Sequence, residues 1–386
     1  MSPKRSSRGN IPPFIVMDVM REANRLEANG DAVVHMEVGQ PGTGAPAGVT
    51  NALHDIMKKD HMGYTDAFGI PALRYRIAQH YFETYGLDVA ADNVVVTTGS
   101  SGAFVLSFLA SFDLGDRVAL ASPGYPAYRN ILIALGINVI DIQTDSSTNF
   151  QPTRPVLEQK LADIGGPIQG LIVASPSNPA GTMLTNDELC DLVAFCNRHS
   201  IRLISDEIYH GITYGEAAQT ALAFGRDVVV INSFSKYFSM TGWRLGWMIL
   251  PNNLIRSVEC LGQNLFISPP TISQHAGMLA FDCKDELEAN VARYSVNREL
   301  LLRELPRAGF NRLAPADGAF YIYADISELT NDSADFCHRM LAETGVAATP
   351  GTDFDLGRGH RFMRFSFSRS EAEIALATQL LINWQR

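Results

Sequence analysis

The sequence has few features of a secreted, membrane-spanning or nucleic-acid-binding protein. Its five cysteines are an odd number, scattered and without Cys-x-x-Cys spacing, so neither a disulfide framework nor a zinc site is indicated. No apolar run reaches the roughly 20 residues needed to cross a bilayer. The formal net charge of −10 disfavours nucleic acid as a main partner, because phosphate binding relies on surplus Lys and Arg. We therefore expect buried free thiols and a cytoplasmic protein.

What the sequence does contain is typical of an ordinary soluble globular protein. Hydrophobic residues make up 46% and charged residues 19% of the 386 positions, which allows a sizeable buried core. This length predicts about two or three structural units. Residues 1–9 are basic and polar, and no apolar segment of signal-peptide length follows them. We interpret residues 1–13 as a flexible tail.

Strand and helix patterns alternate through roughly residues 90 to 250. The predicted strands, such as 94–98, 170–174 and 228–231, are nearly continuous in apolar residues. Such strands are buried on both faces, which favours a mostly parallel sheet covered by helices.

A different pattern follows, with long helices and a few strands, and predicts a second unit of the α+β type. The predicted division is an N-terminal arm and helix at 14–48 that packs with the small domain, a large domain at 49–280 and a small domain at 281–386.

One lysine stands out because of its surroundings. Residues 232–246 set Lys236 among small hydroxyl residues, directly after a predicted strand, and place Arg244 eight positions later. Open α/β sheets bind ligands at the carboxyl ends of their strands. A lysine in an apolar, hydroxyl-lined pocket can lose its proton and form a Schiff base with a carbonyl compound. The alternative is a solvated surface lysine.

Small and polar residues follow other predicted strands as well. Residues 99–102 form a small-residue turn before an apolar helix, an arrangement that aims backbone N–H groups at an anion. An ordinary strand-to-helix turn is the alternative. Asn178 follows one strand, and Asp206 with Tyr209 follows the next. Because the carboxyl ends of parallel strands meet at one edge, these residues are expected to converge on one site.

The order and spacing of these motifs resemble a known family. Ser-Asn-Pro-x-Gly-Thr stands at 177–182, Asp206 thirty residues before Lys236, and Arg244 eight residues after it. The chain resembles, from Phe14 onward, the class I/II aminotransferases of fold type I, the aspartate aminotransferase superfamily, which use pyridoxal 5'-phosphate. The resemblance implies an α/β fold with a mostly parallel, seven-stranded central sheet in a large domain and a smaller α+β domain.

The resemblance also implies roles for individual residues. Lys236 would hold the cofactor as an internal aldimine and move a proton between the substrate and the cofactor. Asp206 would pair with the pyridine nitrogen, and Tyr209 with Asn178 would bind the phenolic oxygen. The phosphate would be held by Ser100, Ser101, Gly102, Ser233 and Arg244, with Tyr125 stacked on the ring. A core or interface tyrosine is the alternative for Tyr125, a loop-turn residue for Asn178 and a half-buried tyrosine for Tyr209.

Substrate binding and assembly are implied in the same way. Arg364 would grip the substrate α-carboxylate, assisted by the Gly39 backbone and by Asn178; Arg361 and Arg369 are competing candidates. Tyr64 would reach the phosphate of the neighbouring subunit, which makes the expected assembly a homodimer with a shared active site.

The expected activity is transfer of an amino group between an L-amino acid and a 2-oxo acid. Residues 103–109 contribute no cation for a dicarboxylic substrate, so neutral or aromatic donors are favoured, with aspartate possible through an arginine of the partner subunit. A C–S β-lyase or a decarboxylase on the same fold is the alternative. A non-enzymatic regulator would need an N-terminal helix-turn-helix unit, for which only some thirteen residues precede the first predicted helix.

Overall fold

The computed structural model describes residues 3–385; Met1 and Ser2, which begin the predicted tail, and Arg386 lie outside the described residues. Residues 3–13 are exposed and contain one 3-10 turn, Ser7–Gly9. Within the described part of the chain, no helix combines the length and the apolar character needed to cross a membrane.

Helices and strands alternate through the first two thirds of the chain. The helices are α1 (Ile15–Ala28), α2 (Ala47–Lys59), α3 (Pro71–Tyr85), α4 (Gly99–Ser111), α5 (Pro126–Leu135), α6 (Arg154–Ile164), α7 (Asn186–Arg198), α8 (Ile255–Leu265), α9 (Thr271–Ala280), α10 (Lys284–Glu304), α11 (Ser333–Thr344) and α12 (Glu371–Asn383). The strands are β1 (Val34–His35), β2 (Val94–Thr97), β3 (Arg117–Ser122), β4 (Asn138–Gln143), β5 (Gly170–Ala174), β6 (Arg202–Asp206), β7 (Val229–Ser233), β8 (Gly246–Ile249), β9 (Arg312–Leu313), β10 (Tyr321–Asp325), β11 (Val346–Ala347), β12 (Thr349–Pro350) and β13 (Phe362–Ser366).

The largest sheet has seven strands in the order β2-β8-β7-β6-β5-β3-β4. Strand β8 is antiparallel to both of its neighbours, β2 and β7, whereas the other neighbouring pairs are parallel. Six strands therefore run in one direction and end at the same edge of the sheet. The predicted mostly parallel, seven-stranded sheet is confirmed.

Strands β2, β5, β6, β7 and β8 of this sheet are buried on both faces, as their apolar runs predict, whereas the edge strand β4 is partly exposed. In β5, Leu171 and Val173 belong to one hydrophobic cluster, while Ile172 between them belongs to another on the opposite face. Side chains alternate between the faces of a strand, so one apolar segment supports two helical layers. This burial fixes the positions of the loops that follow each strand.

A four-stranded antiparallel sheet, in the order β12-β13-β10-β9, lies in the last quarter of the chain. The N-terminal strand β1 pairs in parallel with β11, with Val34 opposite Val346. A carboxylate from the C-terminal quarter caps the N-terminus of helix α1. Asp353 accepts hydrogen bonds from the backbone N–H groups of Ile15 and Val16 at 2.9 and 3.2 Å. Helix α1 and strand β1 are thus attached to the C-terminal quarter, while the predicted domain boundaries stay a prediction.

One local prediction needs correction. Residues 99–102 were expected to form a turn before the helix, but α4 already begins at Gly99. Gly99 has a φ of +72°, which glycine adopts without strain. The helix can therefore start directly after β2, and Ser100 and Ser101 lie in its first turn, where backbone N–H groups have no partner within the helix.

Candidate active site

A cavity of about 210 Å³ lies at the edge where the parallel strands end. It is lined by residues from the N-terminal segment, from the strand-end loops and from β10 and β13. The predicted site residues among its lining are Gly39, Ser100, Ser101, Tyr125, Asn178, Tyr209, Lys236, Arg244 and Arg364. Sequence positions more than 300 residues apart thus meet at one site.

Lys236 lies at the centre of this cavity. Its Nζ donates a hydrogen bond of 2.6 Å to the carbonyl oxygen of Gly39. The pKa of Lys236 is lowered from 10.5 to about 8, mainly by burial and also by the nearby cations Arg364 and Arg244, while Asp206 opposes the change. The amine can therefore be neutral, and so nucleophilic or basic, at a pH close to neutrality.

Asp206 lies at the end of β6 and is 2% exposed. The hydroxyl of Tyr128 donates to one carboxylate oxygen, and the backbone N–H of Ile208 donates to the other at 3.1 Å. Burial raises the pKa of Asp206 to about 6, against the lowering effects of these donors and of Lys236. A buried carboxylate held in this way can stabilise a protonated nitrogen placed beside it.

The opposite part of the cavity can hold an anion. The first turn of α4 supplies Ser100 and Ser101, and the guanidinium of Arg244 lies against the start of this helix. A Cβ at Gly99 would approach Nη2 of Arg244 to 2.5 Å, so a larger residue there would displace the arginine. Free N–H groups, the positive end of a helix and a guanidinium together suit a phosphate group.

Arg364 on β13 is 3% exposed and points into the cavity. Its Nη1 donates to Oδ1 of Asn178 at 2.7 Å, and its Nη2 donates to the carbonyl oxygen of Glu37. The guanidinium packs on the ring of Tyr321 at 4.4 Å from the centroid. Nε is buried without a hydrogen-bond partner. A fixed guanidinium of this kind can receive a carboxylate.

An apolar wall closes the cavity on the side of the N-terminal segment. It is formed by Phe14, Val16 and Met17 at the start of α1. The ring of Phe14 meets Tyr125 edge to face, with centroids 5.7 Å apart. The Asp353 carboxylate at the first turn of α1 fixes the position of this wall.

Four predicted cofactor residues are not among the cavity's lining. Asp206 lies behind the lining residue Tyr128, whose hydroxyl donates to its carboxylate. Gly102 is buried in α4, next to Thr98. Ser233 is 1% exposed, and its Oγ contacts Oγ of Ser235 at 3.0 Å; Ser235 lines the cavity instead. Tyr64 is 85% exposed on another surface of the chain.

Some residues of the site were missed in the sequence. Tyr128 binds Asp206, and Tyr321 shares a hydrogen bond of 2.6 Å with the hydroxyl of Tyr209. Both tyrosines lie in apolar segments with no polar motif, so nothing in the sequence distinguishes them from core residues. Ser235 was one of several serines next to Lys236, and spacing alone did not separate it from Ser233.

Among the described residues, no group of three or more His, Cys, Asp or Glu side chains could hold a metal ion. The site offers an amine of lowered pKa, a buried carboxylate, an anion site and a carboxylate site. These parts fit a phosphorylated cofactor that carries an aldehyde and a basic ring nitrogen.

Comparison with known proteins identifies the family. The model of the aminotransferase class I and II family matches residues 31–381. The chain belongs to this family. A relative from Mycobacterium tuberculosis, a valine–pyruvate aminotransferase, is 49% identical over 100% of this chain and 99% of its own length. A (5-formylfuran-3-yl)methyl phosphate transaminase from Methanocaldococcus jannaschii is 33% identical, over 95% of each chain. The crystal structure of an aminotransferase from Mycobacterium tuberculosis superposes with a TM-score of 0.96 at 48% identity, covering 99% of both chains.

The protein is therefore a fold type I aminotransferase that depends on pyridoxal 5'-phosphate and exchanges amino groups between amino acids and 2-oxo acids. The cavity of this aminotransferase fits the cofactor on two structural grounds. Gly99 has no side chain, which leaves room for the guanidinium of Arg244 beside the anion site. Asp206 is buried, and its hydrogen-bond donors, the hydroxyl of Tyr128 and the N–H of Ile208, are both neutral. Its carboxylate can therefore pair with a protonated ring nitrogen.

Proposed function

We propose that Lys236 carries the covalent and proton-transfer chemistry of this aminotransferase. When bound, pyridoxal 5'-phosphate supplies an aldehyde for the amino group and a ring that takes up negative charge from the substrate Cα. The neutral form of Lys236 attacks as an amine and later accepts and returns a proton at Cα. The single observation that carries this proposal is the amine of lowered pKa between an anion site and a carboxylate site.

The residues around Lys236 would hold the cofactor in one orientation. Asp206 keeps the ring nitrogen protonated, because a buried carboxylate stabilises a cation beside it. The predicted phosphate ligands are Ser100, Ser101, Gly102, Ser233 and Arg244, and the lining of the cavity adds Ser235. Tyr125 would pack against the ring, and Asn178 and Tyr209 would donate to its phenolic oxygen; all three line the cavity.

Arg364 would bind the α-carboxylate of the substrate, with the Gly39 segment and Asn178 beside it. Changing Arg364 to Ala should raise the KM for the amino acid by orders of magnitude while the absorbance band of the bound cofactor persists. Arg361→Ala is the matched control, since it removes an exposed guanidinium three positions away that is absent from the cavity lining. Unchanged kinetics of Arg364→Ala would exclude this role.

The substrate side chain is proposed to be neutral. The cations that line the cavity are Lys236, Arg244 and Arg364, and each already has a proposed role. The wall of Phe14, Val16 and Met17 offers apolar contact to a branched or aromatic side chain. The valine–pyruvate aminotransferase that is 49% identical supports a neutral donor and pyruvate as acceptor. A dicarboxylic donor such as aspartate would need a cation from a partner subunit.

A panel of amino acids tests the activity and its donor range. Each L-amino acid is added to the purified holoenzyme, and the loss of the aldehyde form of the cofactor is followed by absorbance; pyruvate and 2-oxoglutarate are then added to restore it. We expect valine, alanine and aromatic amino acids to react faster than aspartate. A panel without any spectral change would exclude transamination, and ammonia released without an acceptor would indicate the β-lyase reaction.

We further propose that the enzyme is a homodimer in which Tyr64 reaches the phosphate site of the neighbouring subunit. The segment of Tyr64 contacts the segment after α8, because Thr271 donates to the carbonyl of Gly63 at 2.6 Å and the N–H of Thr65 donates to Oγ of Ser268 at 3.4 Å. Tyr64, Leu265 and Ile267, which flank these contacts in sequence, are exposed. Exposed apolar residues of this kind are common at subunit interfaces.

Sedimentation and cofactor titration test this assembly. Tyr64→Phe should raise the Kd for pyridoxal 5'-phosphate about tenfold, the effect of one lost hydrogen bond to a charged group. Tyr75→Phe, at a tyrosine that is 68% exposed on α3, is the control. A monomer with full cofactor affinity would contradict the proposal. Cytoplasmic location stays a prediction from the cysteine pattern.

A further inference from the structure

A histidine lies between two carboxylates next to the substrate end of the site. Nδ1 of His35 is 2.7 Å from Oε1 of Glu37, and Nε2 is 3.3 Å from Oε2 of Glu27 on α1. The side chain of His35 is 11% exposed, that of Glu37 is 0% exposed, and that of Glu27 is 47% exposed. The imidazole therefore connects a surface carboxylate on α1 to a fully buried one.

Two carboxylates facing the two ring nitrogens favour a protonated ring. A neutral imidazole has one N–H donor, so one of its nitrogens would direct a lone pair at a carboxylate oxygen. Only the imidazolium donates from both nitrogens. In agreement, the hydrogen bond and charge of Glu37, together with Glu27, raise the pKa of His35 above 6.5, against the opposing effect of burial.

Glu37 depends on this cation. Its Oε2 is buried and has no hydrogen-bond partner, and the side chain has no contact with solvent. A buried carboxylate without a counter-ion is unfavourable, and breaking a buried ion pair by removing one partner costs far more than the pair contributes. Loss of the proton on His35 would therefore favour a movement of the Glu37 side chain toward water, which would displace the backbone of residues 37–39.

The backbone of this segment holds two residues of the site. The carbonyl of Glu37 accepts hydrogen bonds from Nη2 of Arg364 and, at 2.8 Å, from Oγ1 of Thr349. The carbonyl of Gly39 accepts from Nζ of Lys236. A displacement of residues 37–39 would thus change the position of the guanidinium that is proposed to bind the substrate carboxylate.

We propose that protonated His35 is a positioning residue, which holds residues 37–39 against Arg364 so that carboxylate binding weakens as His35 loses its proton. This inference rests on the proposed role of Arg364 in substrate binding. Two other charged groups face His35 from the elements packed on β1: Glu373 on α12, whose pKa the histidine lowers, and Arg369, whose Nε donates to the carbonyl of His35 at 3.3 Å. Both are retained in the variants below.

The test compares KM values for L-valine from pH 6 to 9 in the holoenzyme and two variants. His35→Gln should raise KM about tenfold at pH 6, a typical loss when a supporting partner no longer holds a binding group in place. The ratio of variant to wild-type KM should fall toward one as the pH rises through the raised pKa of wild-type His35. Titrations of the cofactor site itself are common to both proteins and cancel in this ratio. The kcat should stay within twofold.

A double variant separates positioning from general damage. The variant His35→Gln with Glu37→Gln replaces the ion pair by two neutral amides that can hydrogen-bond to each other. Its KM should return to within about threefold of the wild-type value. The part of the pH dependence of KM that His35 causes should be absent. His54→Gln, at an exposed histidine on α2, is the matched control and should not change KM.

Three outcomes would overturn the inference. They are a His35→Gln variant with wild-type KM, a double variant as impaired as the single one, and a His35 midpoint below pH 6.5 in an NMR titration of the wild-type protein. The NMR titration decides if His35→Gln does not fold. If L-valine gives no half-reaction, the same comparison is made with the inhibition constant of 3-methylbutanoate. If Arg364→Ala raises KM but His35→Gln does not, the proposed function stands and only the role of His35 fails.

Discussion

Lys236 should be a partly neutral amine at neutral pH. Its pKa falls from 10.5 to about 8, a difference that corresponds to about 3 kcal/mol. At pH 7 this change raises the neutral fraction from about 0.03% to about 9%, roughly 300-fold. Because burial is the largest cause and Arg364 the second, the value should depend on the charges around the cavity.

Two substitutions should move this pKa in opposite directions. Arg364→Met removes a cation and should raise the pKa of Lys236, whereas Asp206→Asn removes an anion and should lower it. Arg364→Lys keeps the cation and is the control. The assay is labelling of the apoenzyme with trinitrobenzenesulfonate between pH 6 and 11, with modification located by peptide mass. Lys58, whose side chain is 63% exposed, serves as the reference. A midpoint near 10, or equal shifts in the two variants, would refute the reasoning.

The same lowered pKa has a consequence for stability. Between about pH 8 and 10.5 the unfolded chain binds a proton that the folded chain has lost, so the free energy of unfolding rises with pH in this window. Below pH 8 both states are protonated, and the full cost of the buried charge remains. Lys236→Met should therefore stabilise the apoenzyme at pH 7 by up to about 3 kcal/mol, with the gain vanishing near pH 10.5. Urea unfolding at several pH values measures this difference.

Three further predictions concern residues around the lysine. Gly39→Ala should raise KM at least tenfold, because its Cβ would overlap the hydroxyl of Tyr321; steady-state kinetics check this, and an unchanged KM would contradict the packing. Tyr128→Phe removes a hydrogen bond that lowers the pKa of Asp206. In a titration of cofactor affinity against pH, the loss of affinity on the acid side should therefore move to higher pH by about one unit. Asp353→Ala should lower the free energy of unfolding by about 1–2 kcal/mol through loss of the cap of α1; Asp353→Asn, which keeps one acceptor, should lose less, and equal losses would argue against a capping role.

Much of the fold was predictable because its signals are local. The apolar strands and the helical spacing indicate an alternating sheet-and-helix architecture, and the structure confirms the mostly parallel sheet. Proline at the start of α3 also marks a helix N-terminus correctly, since its missing N–H needs no partner there. The antiparallel strand β8 was not apparent, because four apolar residues do not reveal strand direction.

Site residues were predictable where a charged residue directly follows an apolar strand and stands at a spacing from the other motifs that is typical of the family. Lys236, Arg244 and Asp206 fall in this group: Lys236 and Arg244 line one cavity, and Asp206 lies behind Tyr128 of its lining. Tyr128 and Tyr321 were not recognisable, because their roles depend on tertiary contacts with Asp206 and Arg364 that no local pattern encodes. The roles themselves stay predictions until the variants above are measured.

The pairing of β1 with β11 sets an order of events during synthesis. Val34 leaves the ribosome more than 300 residues before its partner Val346, and the carbonyl of Glu37 must wait equally long for Arg364. Contacts between distant parts of a chain form late, because the loop they close is entropically costly. A nascent chain can thus complete its central sheet before the Gly39 segment is held against Lys236. A chain stalled before residue 346 should therefore have a folded central sheet but an incomplete active site. Incomplete chains would then lack transaminase activity.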